Sequence, residues 1–226
     1  MNLSTNQEIW EDIFVNNDWG QYPSLALVRF IAKNFYSISN RTEIKILELG
    51  CGTGSNIWYL RREGFTTYAI DYSKTACKKA EAKLKLELLH ENSFFFVGDY
   101  ISEILHFENN YFDAIIDIES LYCNSFEDCK KIINTCFQKL KPGGFMFSQT
   151  FSDKTWGLNG PEISHHMVTP VEGPLAYKGS SRFTTSQDIE LLYVTKLSKL
   201  KNLELQELQL MNEKHISEWL ITVEKK

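Results

Sequence analysis

The sequence predicts an α/β sandwich built on a doubly wound, mostly parallel sheet, and three observations carry that expectation. From Ile44 onward, short apolar runs alternate with longer segments of helical period, as strands buried on both faces and their crossover helices do. A glycine-rich turn, Gly50-Cys51-Gly52-Thr53-Gly54, follows directly on the first buried run. A carboxylate, Asp71, closes the second run at the same sheet edge.

The elements follow in order. Ile9, Trp10, Ile13 and Phe14 recur at helical spacing, and after a turn-like stretch from Asn17 to Pro23 a second helix is marked by Leu27, Val28, Ile31, Phe35 and Tyr36. Strands are expected at Ile44 to Leu49, Thr67 to Ile70 (ending at Asp71), Phe94 to Val97, Phe112 to Ile118 and Phe145 to Thr150. Between them, Ile57, Trp58 and Leu60 mark one helix, and Ser73 caps another whose inner face is Ala76, Cys77, Ala80 and Leu84. Ser125 caps a third, with Cys129, Ile132, Ile133, Cys136, Phe137 and Leu140 inward, and Lys141-Pro142-Gly143-Gly144 stops it. Past Phe151, about thirty residues rich in Gly, Pro, Ser and His are too long for a plain connection, and residues 151–184 read as a lid or acceptor insertion. Thr185 opens a further helix, and alternation at Leu203 to Leu210 and Ile216 to Val223 gives two closing strands. Residues 1–226 are expected to form a single domain, with residues 1–40 as a helical cap.

Composition narrows the function. With 24 Lys and Arg against 29 Asp and Glu, the net charge of −5 argues against a sequence-independent grip on nucleic acid. Met1 to Trp10 lacks the pattern of a signal peptide and no long apolar run appears, which predicts a cytoplasmic protein without membrane association. Five cysteines without C-x-x-C spacing argue for reduced thiols, and Cys129 and Cys136 read as core. No metal is expected, since adjacent His165 and His166 lack placed carboxylates.

Glycines at alternate positions after a buried strand let backbone approach a ligand closely, and the two oxygens of Asp71 suit two ribose hydroxyls. Together they describe a nucleoside pocket. Ile46-Leu47-Glu48-Leu49-Gly50-Cys51-Gly52-Thr53-Gly54 resembles the first motif of class I S-adenosylmethionine (SAM)-dependent methyltransferases, with Asp71 matching their acid after the second strand. Gly98-Asp99-Tyr100, Phe112 to Ile116 and Leu140 to Gly144 resemble later motifs of that family. The resemblance implies a Rossmann-like sheet of seven strands with an antiparallel last strand, SAM as cofactor and S-adenosylhomocysteine as its product. It implies cofactor contacts from Trp19, Tyr22, Glu48, Gly50, Cys51, Gly52, Thr53, Gly54, Asn56, Asp71, Tyr72, Ser73, Asp99, Tyr100 and Asp117. A nicotinamide-dependent oxidoreductase shares the turn and acid, but position 55 is Ser where its third glycine would stand, and no Tyr-x-x-x-Lys pair is present.

Methyl transfer from a sulfonium is an in-line displacement, so alignment and exclusion of water are its main demands. Trp10, Trp19, Tyr22 and Trp156 offer aromatic lid surface. A hydroxyl acceptor needs a base, and His165, His166 and Glu119 are the catalytic candidates. Tyr122, Asn124, Trp156 and Arg182 are the candidates for binding the acceptor. The fourth strand exits as Asp117-Ile118-Glu119-Ser120, without the Asn-Pro-Pro-aromatic sequence of amino methyltransferases acting on DNA bases or glutamine. The Asn17 to Pro23 turn and Trp156-Gly157 resemble small-molecule methyltransferases of surface glycan and natural product pathways. The expectation is therefore methylation of a hydroxyl on a small polar molecule. N-methylation is the alternative, and a SAM-binding regulatory protein without catalysis is the alternative of another class.

Overall fold

A computed structural model describes residues 5–210 and 214–226 of the chain. Thr5 caps α1 (Asn6–Asn16) through a capping box with Glu8, and Ser24 caps α2 (Leu25–Phe35) by accepting from the Ala26 N–H. The alternating unit then begins with β1 (Lys45–Leu49), α3 (Ser55–Arg62), β2 (Thr66–Asp71), α4 (Lys74–Leu86) and β3 (Ser93–Val97). It continues through α5 (Tyr100–Leu105), β4 (Phe112–Ile118), α6 (Phe126–Lys139) and β5 (Leu140–Phe151). A short hairpin, β6 (Met167–Val168) and β7 (Ser181–Arg182), lies in the long segment that follows. The chain closes with α7 (Ser186–Tyr193), β8 (Ser198–Gln209) and β9 (His215–Lys225).

The seven-stranded sheet has the order β3-β2-β1-β4-β5-β9-β8, with β1 to β5 parallel and β9 antiparallel to both of its neighbours. Both faces are covered. Leu47, Leu49, Ile115 and Ile221 pack with Ile104, Ile133, Phe137 and Leu192 on one side. Ile46, Ile116 and Phe147 pack with Leu27, Phe30, Ile31 and Leu60 on the other. Alternate residues of one strand thus enter different cores, which is why these runs are apolar throughout rather than every second residue. Among the described residues no helix is long and apolar enough to cross a membrane.

Two details differ from the sequence expectation. Tyr100–Leu105 is helical, with Asp99 capping it through Ser102 N–H, in a stretch where the resemblance supplied a motif but no element. The expected stop at Lys141 to Gly144 lies inside β5: Leu140 already pairs with Phe112, and a bulge between Phe112 and Ala114 absorbs the turn residues, Gly143 taking φ +77°. The strand order reverses between β1 and β4, so a crevice opens at their carboxyl ends, where ligands bind in sheets of this kind.

Candidate active site

A cavity of about 680 Å³ occupies that crevice. Its floor is the turn after β1, where Gly50 and Gly52 take φ of +71° and +50°. A Cβ at Gly50 would stand 1.9 Å from Ser120 Oγ and 2.8 Å from Tyr100 Oη, so no side chain fits there. Gly54 serves another purpose: its missing Cβ makes room for Ala80 of α4, which would otherwise be 2.6 Å away. Asp71 is buried beside this turn, one oxygen accepting from Gly52 N–H and the other from Ser73 N–H, both at 2.8 Å. Burial raises its carboxyl, and those two N–H groups pull it back.

At one end stand Tyr72, Asp99, Tyr100 and Ile101. Tyr72 Oη donates to Asp99 at 2.7 Å, while the other Asp99 oxygen accepts from Ser102 N–H and Oγ. Burial works to raise Asp99, but these bonds outweigh it and hold the carboxyl low. Deeper in the crevice, Glu48 accepts from Asn56 Nδ2 at 2.7 Å through one oxygen, and its other oxygen is buried without a partner. Burial pushes this carboxyl up to about 8, against the pull of the Asn56 bond. Asn56 in turn accepts from Ser24 N–H, tying α2 to the crevice.

The roof comes from the N-terminal region. Trp10, Phe14 and Trp19 form an aromatic cluster with the Trp10 and Trp19 rings 5.5 Å apart and edge-on. Thr53 Oγ1 donates to the Trp19 carbonyl at 2.5 Å, while Lys79 and Lys83 of α4 donate to the carbonyls of Asn17 and Gln21. The segment from Asn17 to Tyr22 is therefore strapped across the cavity from below.

Opposite the roof, the turn after β4 presents Glu119. Asp117 is fully buried and accepts from Ser120 and Leu121 N–H at 3.1 and 2.9 Å, which folds the turn. Burial pushes Asp117 up to about 6, opposed by those bonds. Glu119 sits at φ +52°, a strained conformation for a non-glycine residue, and is an exposed residue at the rim of the cavity it lines. Gln149 Nε2 donates to both Glu119 Oε1 and Glu218 Oε2 at 3.0 Å, and Ser24 Oγ donates to Gln149 Oε1 at 2.6 Å, which orients the amide. Desolvation by the surrounding cavity walls pushes Glu119 up to about 8, helped by the neighbouring Glu218 and Asp117 carboxyls and opposed by Lys178.

Of the residues read from the sequence, Trp19, Tyr22, Glu48, Gly50, Cys51, Gly52, Thr53, Asn56, Asp71, Tyr72, Asp99, Tyr100, Glu119, Tyr122 and Asn124 line the cavity. Ser73, Gly54 and Asp117 shape its walls from behind. His165 and His166 require correction as bases: they lie outside the cavity, with ring nitrogens bonded to Asp188 at 2.7 and 2.8 Å. Arg182 also requires correction, being buried with Nη1 donating to Thr184 Oγ1 and Nη2 to Cys129 Sγ. Trp156 lies away from the cavity under the Lys214 ammonium, 3.8 Å from its ring. The sequence reading missed Ser24, Ser120, Gln149 and Glu218. The available signal was a cluster of polar residues at the ends of buried strands, Gln149 between Ser148 and Thr150 in β5 and Glu218 after Ser217 in β9.

The family described as "Methyltransferase domain" matches residues 46–144, from β1 into the start of β5. Those residues thus match a methyltransferase domain, and the chain has the fold of class I SAM-dependent methyltransferases. It is 30% identical over 159 residues to the ubiquinone/menaquinone biosynthesis C-methyltransferase UbiE of Wigglesworthia glossinidia brevipalpis, covering 66% of this chain and 62% of the relative. Against each of the curated relatives it matches, the chain aligns with less than two thirds of the relative's length. In fold it is similar to a SAM-dependent methyltransferase of Methanosarcina mazei, with a TM-score of 0.68 at 21% identity over 84% of this chain and 97% of that one. It is also similar to the magnesium protoporphyrin IX methyltransferase of Synechocystis PCC 6803 with bound SAM, with a TM-score of 0.65 at 12% identity over the whole of both chains.

The methyltransferase domain's own residues fit SAM. The bare backbone at Gly50, the paired acceptors of Asp71, the Tyr72 and Ile101 surface beside Asp99, and the unpartnered buried oxygen of Glu48 match in kind a ribose, a purine and a cationic amino acid end.

Proposed function

We propose that this protein methylates a hydroxyl of a small polar molecule, with Glu119 as the group that receives the proton. When bound, SAM supplies a methyl group on a positively charged sulfur, which keeps the bonding electron pair as the methyl passes to the acceptor oxygen. Gly50, Gly52, Asp71 and Asp99 hold the nucleoside end. Trp10, Phe14 and Trp19 exclude water and offer aromatic faces that a cation favours. Gln149 and Ser24 fix the orientation of Glu119, whose proton affinity near neutrality suits it to take a hydroxyl proton.

The observation that carries the reading is the amide-oriented carboxyl of Glu119, lining the cavity at the sheet edge that also presents the glycine turn. The volume of the cavity, about 680 Å³, supports a small acceptor alongside SAM. An amine acceptor is favoured by a different observation, the acidic lining from Glu119 and Asp128 with Glu218 behind it. Incubation with labelled SAM and a fractionated metabolite extract tests the function: label is expected in a small polar product. Absence of heat with SAM and with S-adenosylhomocysteine in calorimetry, alongside binding of a dinucleotide, would refute it. Full turnover by Glu119→Gln would favour the amine acceptor instead.

A further inference from the structure

Two adjacent histidines and a buried carboxylate converge outside the cavity, and the proposed reaction uses none of them. His165 Nε2 stands 2.7 Å from Asp188 Oδ1, and His166 Nδ1 stands 2.8 Å from Asp188 Oδ2. Consecutive side chains on an extended loop point to opposite sides. Here His166 takes φ +52°, and the two rings come to lie 4.0 Å apart over one carboxylate. Asp188 is 1% exposed and fixed as the third residue of α7, where it and Thr185 form a capping box. The imidazoles are 47% and 38% exposed, which leaves a path from solvent to a rigid floor. One ligand atom from each residue lies within 4.8 Å of the others.

We propose that His165, His166 and Asp188 form a binding site for a divalent transition ion of the Zn²⁺ or Ni²⁺ type. Two imidazole nitrogens and one carboxylate oxygen suit such ions, whereas Mg²⁺ and Ca²⁺ take oxygen ligands. Three protein ligands leave the remaining position to water. The ion would clamp the long segment after β5 to the start of α7, and this role is independent of methyl transfer.

The test is calorimetric titration of the full chain, first stripped with chelator, with ZnCl₂, NiCl₂ and MgCl₂ in turn. One Zn²⁺ or Ni²⁺ site is expected, with a rise in melting temperature, and no response to Mg²⁺. Outer partners of metal ligands alone are worth about 10–100-fold in affinity, so a His165→Ala/His166→Ala variant is expected to lose at least that much. A His165→Gln variant keeps a donor for Asp188 without an imidazole, and is expected to keep its metal-free melting temperature while losing the response to Zn²⁺. Undiminished binding by the double variant would assign the ion to other histidines or thiols and overturn the proposal. So would the absence of binding by the unaltered chain, which would leave a hydrogen-bonded clasp alone.

Discussion

Gly52 donates its backbone N–H to Asp71 Oδ2 at 2.8 Å, so the turn after β1 is held by the carboxylate that closes β2. The glycine turn and the acid that ends β2 are thus one unit. Asp71→Asn keeps one accepting oxygen but sets an amide N–H against a backbone N–H, since Gly52 and Ser73 both donate to this side chain. An unmatched buried donor costs about 1–3 kcal/mol. Calorimetry is expected to show SAM affinity reduced about tenfold or more, on the same scale. Unchanged affinity would separate Asp71 from the cofactor.

Gly50→Ala and Gly54→Ala are expected to fail differently. At Gly50 the new methyl meets Ser120 and Tyr100 at the cavity floor, at a backbone angle that disfavours any side chain, so SAM binding should be lost. At Gly54, whose φ of +79° disfavours a side chain as well, the methyl meets Ala80 Cβ at 2.6 Å between α3 and α4, away from the cavity lining. Overpacking of this kind costs about 1–3 kcal/mol, which for a chain of this size lowers the melting temperature by several degrees. Thermal melts with and without SAM distinguish the two, and equal SAM-induced shifts in both variants would contradict the assignment.

The meeting of the glycine turn with Asp71 was legible in the sequence because local chain geometry fixes it. A buried run, a glycine turn and a strand-ending acid are contiguous features, and strand pairing of β1 with β2 brings Gly50 and Asp71 to one edge. The acceptor side was not, because its contacts join distant segments. Glu119 is oriented by Gln149, which is oriented by Ser24 at the cap of α2 and shared with Glu218 from β9. His165 and His166 looked like free bases because their partner Asp188 lies 23 and 22 residues further on, in a helix cap that spacing alone does not connect to them.

Glu119→Gln tests the proton acceptor. With the Glu119 carboxyl pushed up to about 8, the basic form gains ground as pH rises, so turnover of a hydroxyl acceptor should climb from neutral pH and level off above that value. General-base catalysis contributes about 10²–10⁴-fold, and the amide variant should lose that factor together with the pH slope while still binding SAM. A variant that keeps the slope would move the base to another residue.

Glu48 links pH to stability with the sign of a buried acid. Its folded-state pKa is raised from 4.5 to about 8, chiefly by burial, so the folded protein holds this proton more tightly than the unfolded chain does. That contribution is fully present below about 4.5 and is lost as pH rises through about 8. Asp188 runs the other way: its carboxyl is held down at about 2, so its contribution is present above the ordinary aspartate value and lost as pH falls through about 2. Between these limits, the melting temperature of the SAM-free protein should fall as pH is raised from weakly acidic to weakly alkaline. Glu48→Gln keeps an oxygen for Asn56 Nδ2 but has no proton to lose, so its melting temperature should change less over that range. Scanning fluorimetry across the range on both proteins checks this, and parallel curves would show that Glu48 is not the group whose burial sets the slope.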